Sequence, residues 1–170
     1  MRTAKKTVFV TVGTTKFDDL IKTVLTSEIL QALSLKGYNE MILQIGKTVF
    51  VPDCTLHYGF VNIEYFNLCF NIQEYVENAD LIISHAGAGS ILDALEKRKN
   101  LIVVTNQSLM DNHQLELAEQ LYKDEHLYYC TCETLLDTIQ TMDFTKLKPF
   151  ISGKSKRIAE FIDQIMGFSV

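Results

Sequence analysis

The chain has 170 residues, of which 47% are hydrophobic and 22% are charged. This length and composition are typical of one globular domain with a sizeable core, and they exclude a disordered chain. The net charge of -5 argues against a nucleic-acid-binding protein, because such proteins need a basic surface to meet phosphate charge. The apolar run 7–12 is too short for a signal peptide, and no run of 18 apolar residues predicts a transmembrane helix.

Short runs of β-branched residues alternate along the chain with longer segments of helical periodicity. In chain order, the pattern predicts strands at 7–12, 39–46, 80–84, 100–105 and 126–131. It predicts helices at 17–37, 72–79, 90–98, 112–124, 133–142 and 154–167. The stretch 47–70 is compatible with two or three short strands. Asn100 is expected to supply the left-handed residue that follows the helix 90–98.

Strands that alternate with helices predict a parallel sheet with helices on both faces. The predicted strands are continuous apolar runs, as expected of buried parallel strands. We therefore expect an α/β fold, a Rossmann-like domain over residues 1–150, followed by an amphipathic helix within 151–170. In this architecture ligands bind beyond the carboxyl ends of the strands.

Four polar or glycine-rich segments follow predicted strands and should share one edge of the sheet: 13–15, 44–47, 84–90 and 106–114. The third reads Ser-His-Ala-Gly-Ala-Gly-Ser and leads directly into a helix, whose first N–H groups and dipole favour an anion. Glycines after a strand also serve simply to pack a helix on a sheet. Because three polar loops accompany this one, we interpret it as a phosphate site.

Residues of the third segment suit different parts of a nucleotide. Gly87 and Gly89 let the backbone approach a diphosphate, and the Ser90 hydroxyl adds a donor. Asp93 lies further along the helix, where a carboxylate suits ribose hydroxyls. His85, judged by residue type alone, is better explained as a loop histidine with satisfied hydrogen bonds than as a ligand-binding residue.

A nicotinamide cofactor is the first alternative for this loop. The fingerprint for such a cofactor needs a third glycine, where this chain has Leu92. It also needs an acidic residue after the next strand, where the chain has Thr105 and Asn106. The dinucleotide interpretation therefore fails twice.

Two further groups of residues are explained by an ordinary structural role. Asp111 and Asn112 could simply cap the helix 112–124, and their functional interpretation is contact with sugar hydroxyls. The four cysteines lack the spacing of a metal site, so we expect reduced thiols and no metal: Cys54, Cys69, Cys130 and Cys132.

The segments HAGAGSILDALE (85–96) and DNHQLELAEQL (111–121) resemble the donor-binding signature of GT-B glycosyltransferases. Together with FVTVGTTKFDDLI (9–21) and LQIGK (43–47), they resemble most closely the small soluble subunit of a eukaryotic UDP-N-acetylglucosamine transferase. That enzyme adds the second sugar of the dolichol-linked oligosaccharide. The resemblance covers about 1–150 and extends, more distantly, to the C-terminal half of the bacterial MurG transferase.

The resemblance implies that the chain is the C-terminal, donor lobe of a GT-B enzyme. Within it, 87–90 would hold the diphosphate of UDP-N-acetylglucosamine, Asp93 the ribose, and His113 and Gln114 the sugar. The general base is expected on a partner, while His85 and His113 are the candidates here for a catalytic contribution. The implied UDP-sugar-binding set is Gly13, Thr14, Gly46, His85, Gly87, Ala88, Gly89, Ser90, Asp93, Asp111, Asn112, His113 and Gln114.

The family also implies inverting transfer to GlcNAc-diphospho-dolichol in N-linked glycosylation, active only with a membrane-anchored subunit that supplies the acceptor lobe. We expect no cofactor, with UDP-N-acetylglucosamine as donor substrate. The chain would be cytoplasmic and recruited peripherally to the cytosolic face of the endoplasmic reticulum. The alternative is a non-catalytic nucleotide-sugar-binding or scaffolding protein of the same fold.

The last predicted helix carries an apolar stripe at helical spacing, which packs either on its own domain or on the partner. The residues proposed to bind the partner are Ile158, Phe161, Ile162 and Ile165. Lys154, Lys156 and Arg157 lie near its N-terminus, the less favourable end for cations. We hypothesise that these three face the partner or an anionic membrane surface.

Overall fold

The computed structural model describes residues 4–55, 57–69, 71–106 and 112–151, together with 159, 160 and 163; of 112 and 113 it describes only the backbone. The strands are β1 (Thr7–Thr11), β2 (Glu40–Gln44), β3 (Asn62–Phe66), β4 (Leu81–His85), β5 (Leu101–Thr105) and β6 (Tyr128–Thr131). The helices are α1 (Asp18–Val24), α2 (Ser27–Leu35), α3 (Gln73–Asn78), α4 (Ala88–Glu96), α5 (Asn112–Lys123) and α6 (Leu135–Thr141). A 3-10 turn follows at Phe144–Lys146.

All six strands form one parallel sheet in the order β3-β2-β1-β4-β5-β6. Side chains alternate between its two faces, as the period of two in a strand requires. Val8 and Val10 of β1 pack with α1, α2 and α6, whereas Phe9 packs with α3, α4 and α5. The predicted α/β, Rossmann-like fold is therefore confirmed.

The helix predicted at 17–37 is two helices, α1 and α2. Thr26, which lies between them, has an extended backbone, and its hydroxyl oxygen accepts a hydrogen bond from the Ile29 N–H at 3.4 Å. This is the usual arrangement at a helix N-cap. The apolar periodicity did not reveal the break, because Val24 and Leu30 on either side of it face the same core.

The ambiguous stretch 47–70 contributes one strand, β3, to the described part of the structure. The loop before it is tied to the chain after it, since the side-chain amide of Asn67 donates to the carbonyls of Gly46 and Thr48. β3 and β6 are the edges of the sheet.

The predicted left-handed residue after the fourth helix was wrong. Arg98 has a φ of +56° and takes that conformation, one residue after the last-turn Lys97. Its N–H donates to the Leu95 carbonyl and so ends the helix before Asn100 is reached.

Residues 159, 160 and 163 are helical and exposed, in agreement with the predicted helix 154–167. The four residues of its apolar stripe and its three basic residues lie outside the described residues, so their contacts stay predictions. Among the residues that are described, no helix combines the length and apolar character needed to cross a membrane.

Candidate functional site

The sheet changes its direction of winding between β1 and β4. These two strands are neighbours, but the chain continues from β1 to β2 on one side and from β4 to β5 on the other. Such a switch point leaves a crevice at the carboxyl ends of the strands, where α/β proteins bind ligands. Gly13 follows β1 at this crevice, and Ala86 and Gly87 follow β4.

Helix α4 presents a free N-terminus to this crevice. Its first hydrogen bond runs from the Ile91 N–H to the Gly87 carbonyl at 3.0 Å, and no side chain caps it. Within the described residues, the N–H groups of Ala88, Gly89 and Ser90 donate to nothing. The first turn carries no acidic residue, so its positive dipole end is not neutralised. This arrangement suits an anion.

Gly89 is the open position of this turn. A Cβ added there would have no other atom within 4 Å, and the residue is exposed. The backbone here is therefore accessible to a ligand, as predicted for a diphosphate site.

His85, the last residue of β4, lies between two glycines. A Cβ on Gly13 would be 2.8 Å from the His85 Nε2 atom, and one on Gly87 would be 2.7 Å from the same atom. Gly13 also has a φ of +61°, which disfavours other residues. Gly87 therefore has a structural role besides its predicted role at a phosphate, because its lack of a side chain leaves room for the His85 ring.

The imidazole of His85 is neutral at physiological pH. The residue is 9% exposed, and burial lowers the pKa of His85 from 6.5 to about 4. No hydrogen bond to its ring nitrogens is present among the described residues. A neutral ring can donate one N–H to an anion without the cost of burying a charge, but at this pKa it is a weak base.

Gly46 has a packing role in the structure. It is buried with a φ of +71°, and a Cβ there would collide with the Thr15 carbonyl oxygen. The same oxygen accepts from the Lys47 N–H at 3.1 Å, which fastens the loop after β2 to the loop after β1. Thr14, in the latter loop, is exposed. Contact of Gly46 or Thr14 with a donor stays a prediction.

The remaining predicted site residues lie on α4 and at the start of α5. Ser90 and Asp93 are half-buried on the first two turns of α4, and Gln114 is half-buried on α5. Asn112 and His113 belong to the first turn of α5, but their side chains and all of Asp111 lie outside the described residues. The structure therefore brings Gly13, His85 and the start of α4 together and does not test the sugar contacts.

Two polar residues at this edge were not assigned to the binding set, although Gln44 belongs to the predicted polar segment 44–47; they are Thr11 and Gln44. The Thr11 hydroxyl donates to Gln44 Oε1 at 2.5 Å, and the Gly13 N–H donates to the same hydroxyl oxygen at 2.9 Å. Both side chains are nearly fully buried. The sequence carries a signal for them, because each is a polar residue that follows directly on the apolar middle of its strand.

Cavities lie at both ends of the sheet. One of about 300 Å³ is at the carboxyl edge beside the β5 and β6 loops, lined by Phe17, Asp19, Thr105, Asn106, Thr131, Cys132 and Glu133. A larger one of about 500 Å³ is at the opposite, amino edge, lined by Lys5, Thr7, Ile42, Glu74, Tyr75, Asn78 and Asp80. The larger cavity is far from the switch point, so size does not identify the site here.

The cysteines do not form a metal site. Among the described residues, no group of three metal-binding side chains is close enough to hold an ion. Burial raises the pKa of the Cys130 thiol to about 12 and raises the pKa values of Cys54 and Cys132 as well. Cys69 is exposed.

Comparison with known proteins agrees with this geometry. Residues 7–165 match the family model of the glycosyltransferase family 28 C-terminal domain. The UDP-N-acetylglucosamine transferase subunit ALG13 of Homo sapiens is 52% identical over 130 residues, which are 76% of this chain. The Saccharomyces cerevisiae protein of the same name is 32% identical, over 86% of this chain and 89% of the yeast protein. The chain spans only 11% of the human and mouse relatives.

Solved structures give the same result. The solution NMR structure of ALG13 superimposes with a TM-score of 0.68 and 28% identity, over 95% of both chains. Acinetobacter baumannii MurG shares the fold, with a TM-score of 0.59 and 16% identity. The match spans 86% of this chain and 44% of the MurG chain.

Proposed function

This chain belongs to the glycosyltransferase family 28 C-terminal domain family, and on that premise we propose that it is the catalytic, donor-binding subunit of a two-subunit N-acetylglucosaminyltransferase. Its donor is UDP-N-acetylglucosamine and its acceptor is GlcNAc-diphospho-dolichol, to which it adds the second sugar in N-linked glycosylation. The observation that carries the proposal is the uncapped first turn of α4 at the β1–β4 switch point.

The free N–H groups of 88–90 hold the diphosphate of the donor. They supply fixed donors and the positive end of a helix dipole, and Gly89 leaves room for the ligand to approach. Asp93, further along the same helix, accepts hydrogen bonds from the ribose. His113 and Gln114 at the start of α5 contact the sugar, with Asp111 and Asn112 beside them.

The reaction inverts the configuration at the anomeric carbon. The acceptor hydroxyl attacks that carbon from one side while the bond to the UDP oxygen breaks on the other. Negative charge develops on the departing diphosphate, and the N–H groups of α4 stabilise it in the transition state. The proton of the acceptor hydroxyl passes to a general base on the partner subunit.

The acceptor lobe is supplied by a separate, membrane-anchored subunit. The support is that the curated relatives are named as subunits of a transferase. The pair acts at the cytosolic face of the endoplasmic reticulum, where the partner recruits this chain from the cytoplasm. UDP-N-acetylglucosamine is a substrate, and no cofactor takes part.

The test is transfer from UDP-N-acetylglucosamine to GlcNAc-diphospho-dolichol, measured with this chain alone and with membranes that contain the partner. We expect activity only in the second case, and we expect Asp93→Ala and His113→Ala to lower it. The exposed Glu28→Ala on α2 is a control that should not.

If neither Asp93→Ala nor His113→Ala changes transfer, the donor-site assignment is wrong. If the reconstituted pair binds UDP-N-acetylglucosamine but transfers nothing, the chain is instead a non-catalytic nucleotide-sugar-binding protein. Stabilisation of the chain by NAD but not by UDP would favour an oxidoreductase.

A further inference from the structure

Three buried polar side chains form a row across the carboxyl edge of the sheet. Gln44, Thr11 and Ser84 are paired in register on β2, β1 and β4, and their exposed fractions are 3%, 1% and 0%. Each lies two residues after an apolar residue of the α3, α4 and α5 face, so all three point to that face. The Ser84 hydroxyl donates to the His85 carbonyl, and the other two bond to each other.

The hydrogen bond between Thr11 and Gln44 fixes which end of the Gln44 amide is free. Its length of 2.5 Å is at the short end of the range for O–H···O and below the range for N–H···O, so the hydroxyl donates and Oε1 accepts. The Thr11 oxygen is itself the acceptor for the Gly13 N–H. Gln44 is therefore held as a hydrogen-bond donor, with its acceptor end already used.

The amide nitrogen of Gln44 has no partner among the described residues. Within that part of the chain, the one fully buried side-chain nitrogen or oxygen without a partner is Asp18 Oδ1. The Gln44 nitrogen has no partner either, but it is not one of the fully buried atoms. It therefore reaches solvent, although the residue as a whole is almost wholly buried. Because it reaches solvent, this N–H is available to donate a hydrogen bond to a ligand.

Helix α3 shows where this donor lies. Tyr75 of α3 stacks on Phe9 of β1 at 5.7 Å and on Phe66 of β3 at 4.8 Å. Thr11 is two residues beyond Phe9 towards the carboxyl edge, and Gln44 is in register with Phe66. Gln44 and Thr11 are the last residues of β2 and β1, so they lie at the carboxyl edge of the sheet, where α3 and α4 begin, on the face that both helices cover.

We infer that Gln44 contacts the bound nucleotide directly and donates its side-chain N–H to an acceptor oxygen of the nucleoside diphosphate. This inference rests on the proposed function. It assigns the residue a part in recognition, because a donor whose orientation is fixed by Thr11 can donate to a carbonyl or phosphate oxygen but cannot pair with an amino group.

The experiment is a titration of the full chain, labelled with ¹⁵N, with UDP, UMP and uridine. The side-chain amide resonance of Gln44 is assigned by its loss in Gln44→Glu, which keeps an acceptor for Thr11 and removes the donor. We expect this resonance to shift on saturation with UDP, and the affinity of Gln44→Glu for UDP to fall by roughly tenfold or more. The exposed Gln31→Glu on α2 is the matched control and should bind UDP as the wild type does.

The three ligands locate the acceptor oxygen. Gln44→Met removes the donor without adding a charge that repels phosphate. An equal loss of uridine affinity in this variant places the oxygen on the nucleoside, and a loss confined to UMP and UDP places it on a phosphate. If Gln44→Glu does not fold, Gln44→Met and the wild-type resonance provide the same comparison.

Unchanged affinity for all three ligands, with a Gln44 resonance that does not move, overturns the inference and leaves the donor site intact. A wild-type chain that binds none of the three, with or without the partner, overturns the donor site itself.

Discussion

The imidazole of His85 is held in the candidate site by two residues that lack a side chain. Gly13 and Gly87 each approach its Nε2 atom so closely that a methyl group at either position would overlap the ring. The two glycines come from different loops, so the histidine also sets the distance between the loop after β1 and the start of α4. At the residue scale, these loops are constrained by a side chain as well as by any ligand.

Gly87→Ala tests this packing without backbone strain, because Gly87 has an ordinary φ of -74°. We expect it to lower the free energy of unfolding by about 1–3 kcal/mol, the usual cost of overpacking. In a His85→Ala background the same substitution should cost almost nothing, because the ring is gone. Urea denaturation of the four proteins of this double-mutant cycle gives the coupling. Additive effects would show that the ring is not the obstacle.

The buried His85 also makes stability depend on pH. The pKa of His85 is lowered to about 4 in the folded chain, against 6.5 for a free histidine, so only the unfolded chain takes up a proton between these values. Stability is therefore present in full above pH 6.5 and is lost as the pH falls towards 4. The loss attributable to His85 is about 3 kcal/mol.

This pH effect is measured as the difference between the wild type and His85→Gln, since other groups titrate in the same range. Urea unfolding at pH 7, 5.5 and 4.5 should show the wild type losing more stability than the variant. Parallel pH profiles for the two proteins would contradict the assignment.

At the element scale, the start of α4 decides what the site can bind. The sequence pattern placed this helix at 90–98, whereas it begins at Ala88 and takes Gly89 and Ser90 into its first turn. The glycines hid the true start, because glycine has a low helix propensity and counts against a helix in any pattern. The unpaired N–H groups consequently belong to the glycine-rich segment itself.

Two substitutions at Gly89 separate helix stability from anion binding. Nothing lies within 4 Å of a Cβ there, so Gly89→Ala should fold and gain up to about 1 kcal/mol of stability. Gly89→Asp should fold equally well, since a carboxylate is favourable in a first turn, but it should weaken UDP binding by roughly tenfold or more. Thermal melts with and without UDP measure both effects. Equal UDP stabilisation of the two variants would place the phosphates elsewhere.

The sequence was sufficient for the order and type of most elements but not for their junctions. Buried parallel strands such as β4 and β5 are unbroken apolar runs, which the sequence shows directly. The break at Thr26 and the left-handed Arg98 were not visible, because neither is a glycine or proline. The Thr11–Gln44 hydrogen bond could not be predicted, since it depends on the register of two strands that are 33 residues apart.

At the scale of the whole molecule, strand order turns scattered loops into one site. Residues 13 and 85 are far apart in sequence and meet because β1 and β4 are neighbours at the point where the winding reverses. Fold class alone predicts such a crevice. The sugar-binding half at 111–114 remains a prediction, as does the attachment of a second subunit.

The apolar stripe of the last predicted helix is the best test of that attachment. We expect Ile158→Asp and Ile162→Asp together to abolish co-purification with the membrane-anchored partner, while the affinity for UDP and the melting temperature stay as in the wild type. On this prediction the stripe packs on the partner and not on its own domain, so a charge there blocks assembly and leaves folding unchanged. A lower melting temperature with intact co-purification would instead show that the stripe packs on its own domain.

The unequal burial of the four cysteines should allow a fluorescent dye to be attached at a single site. Three thiols are at least partly buried and have raised pKa values, whereas Cys69 is exposed in the loop that follows β3 at the carboxyl edge. One equivalent of a maleimide dye at neutral pH should therefore react at Cys69, as mass spectrometry of peptides would show. Cys69→Ser should take up dye far more slowly. A probe at that loop would report nucleotide binding and subunit assembly in an otherwise unaltered protein.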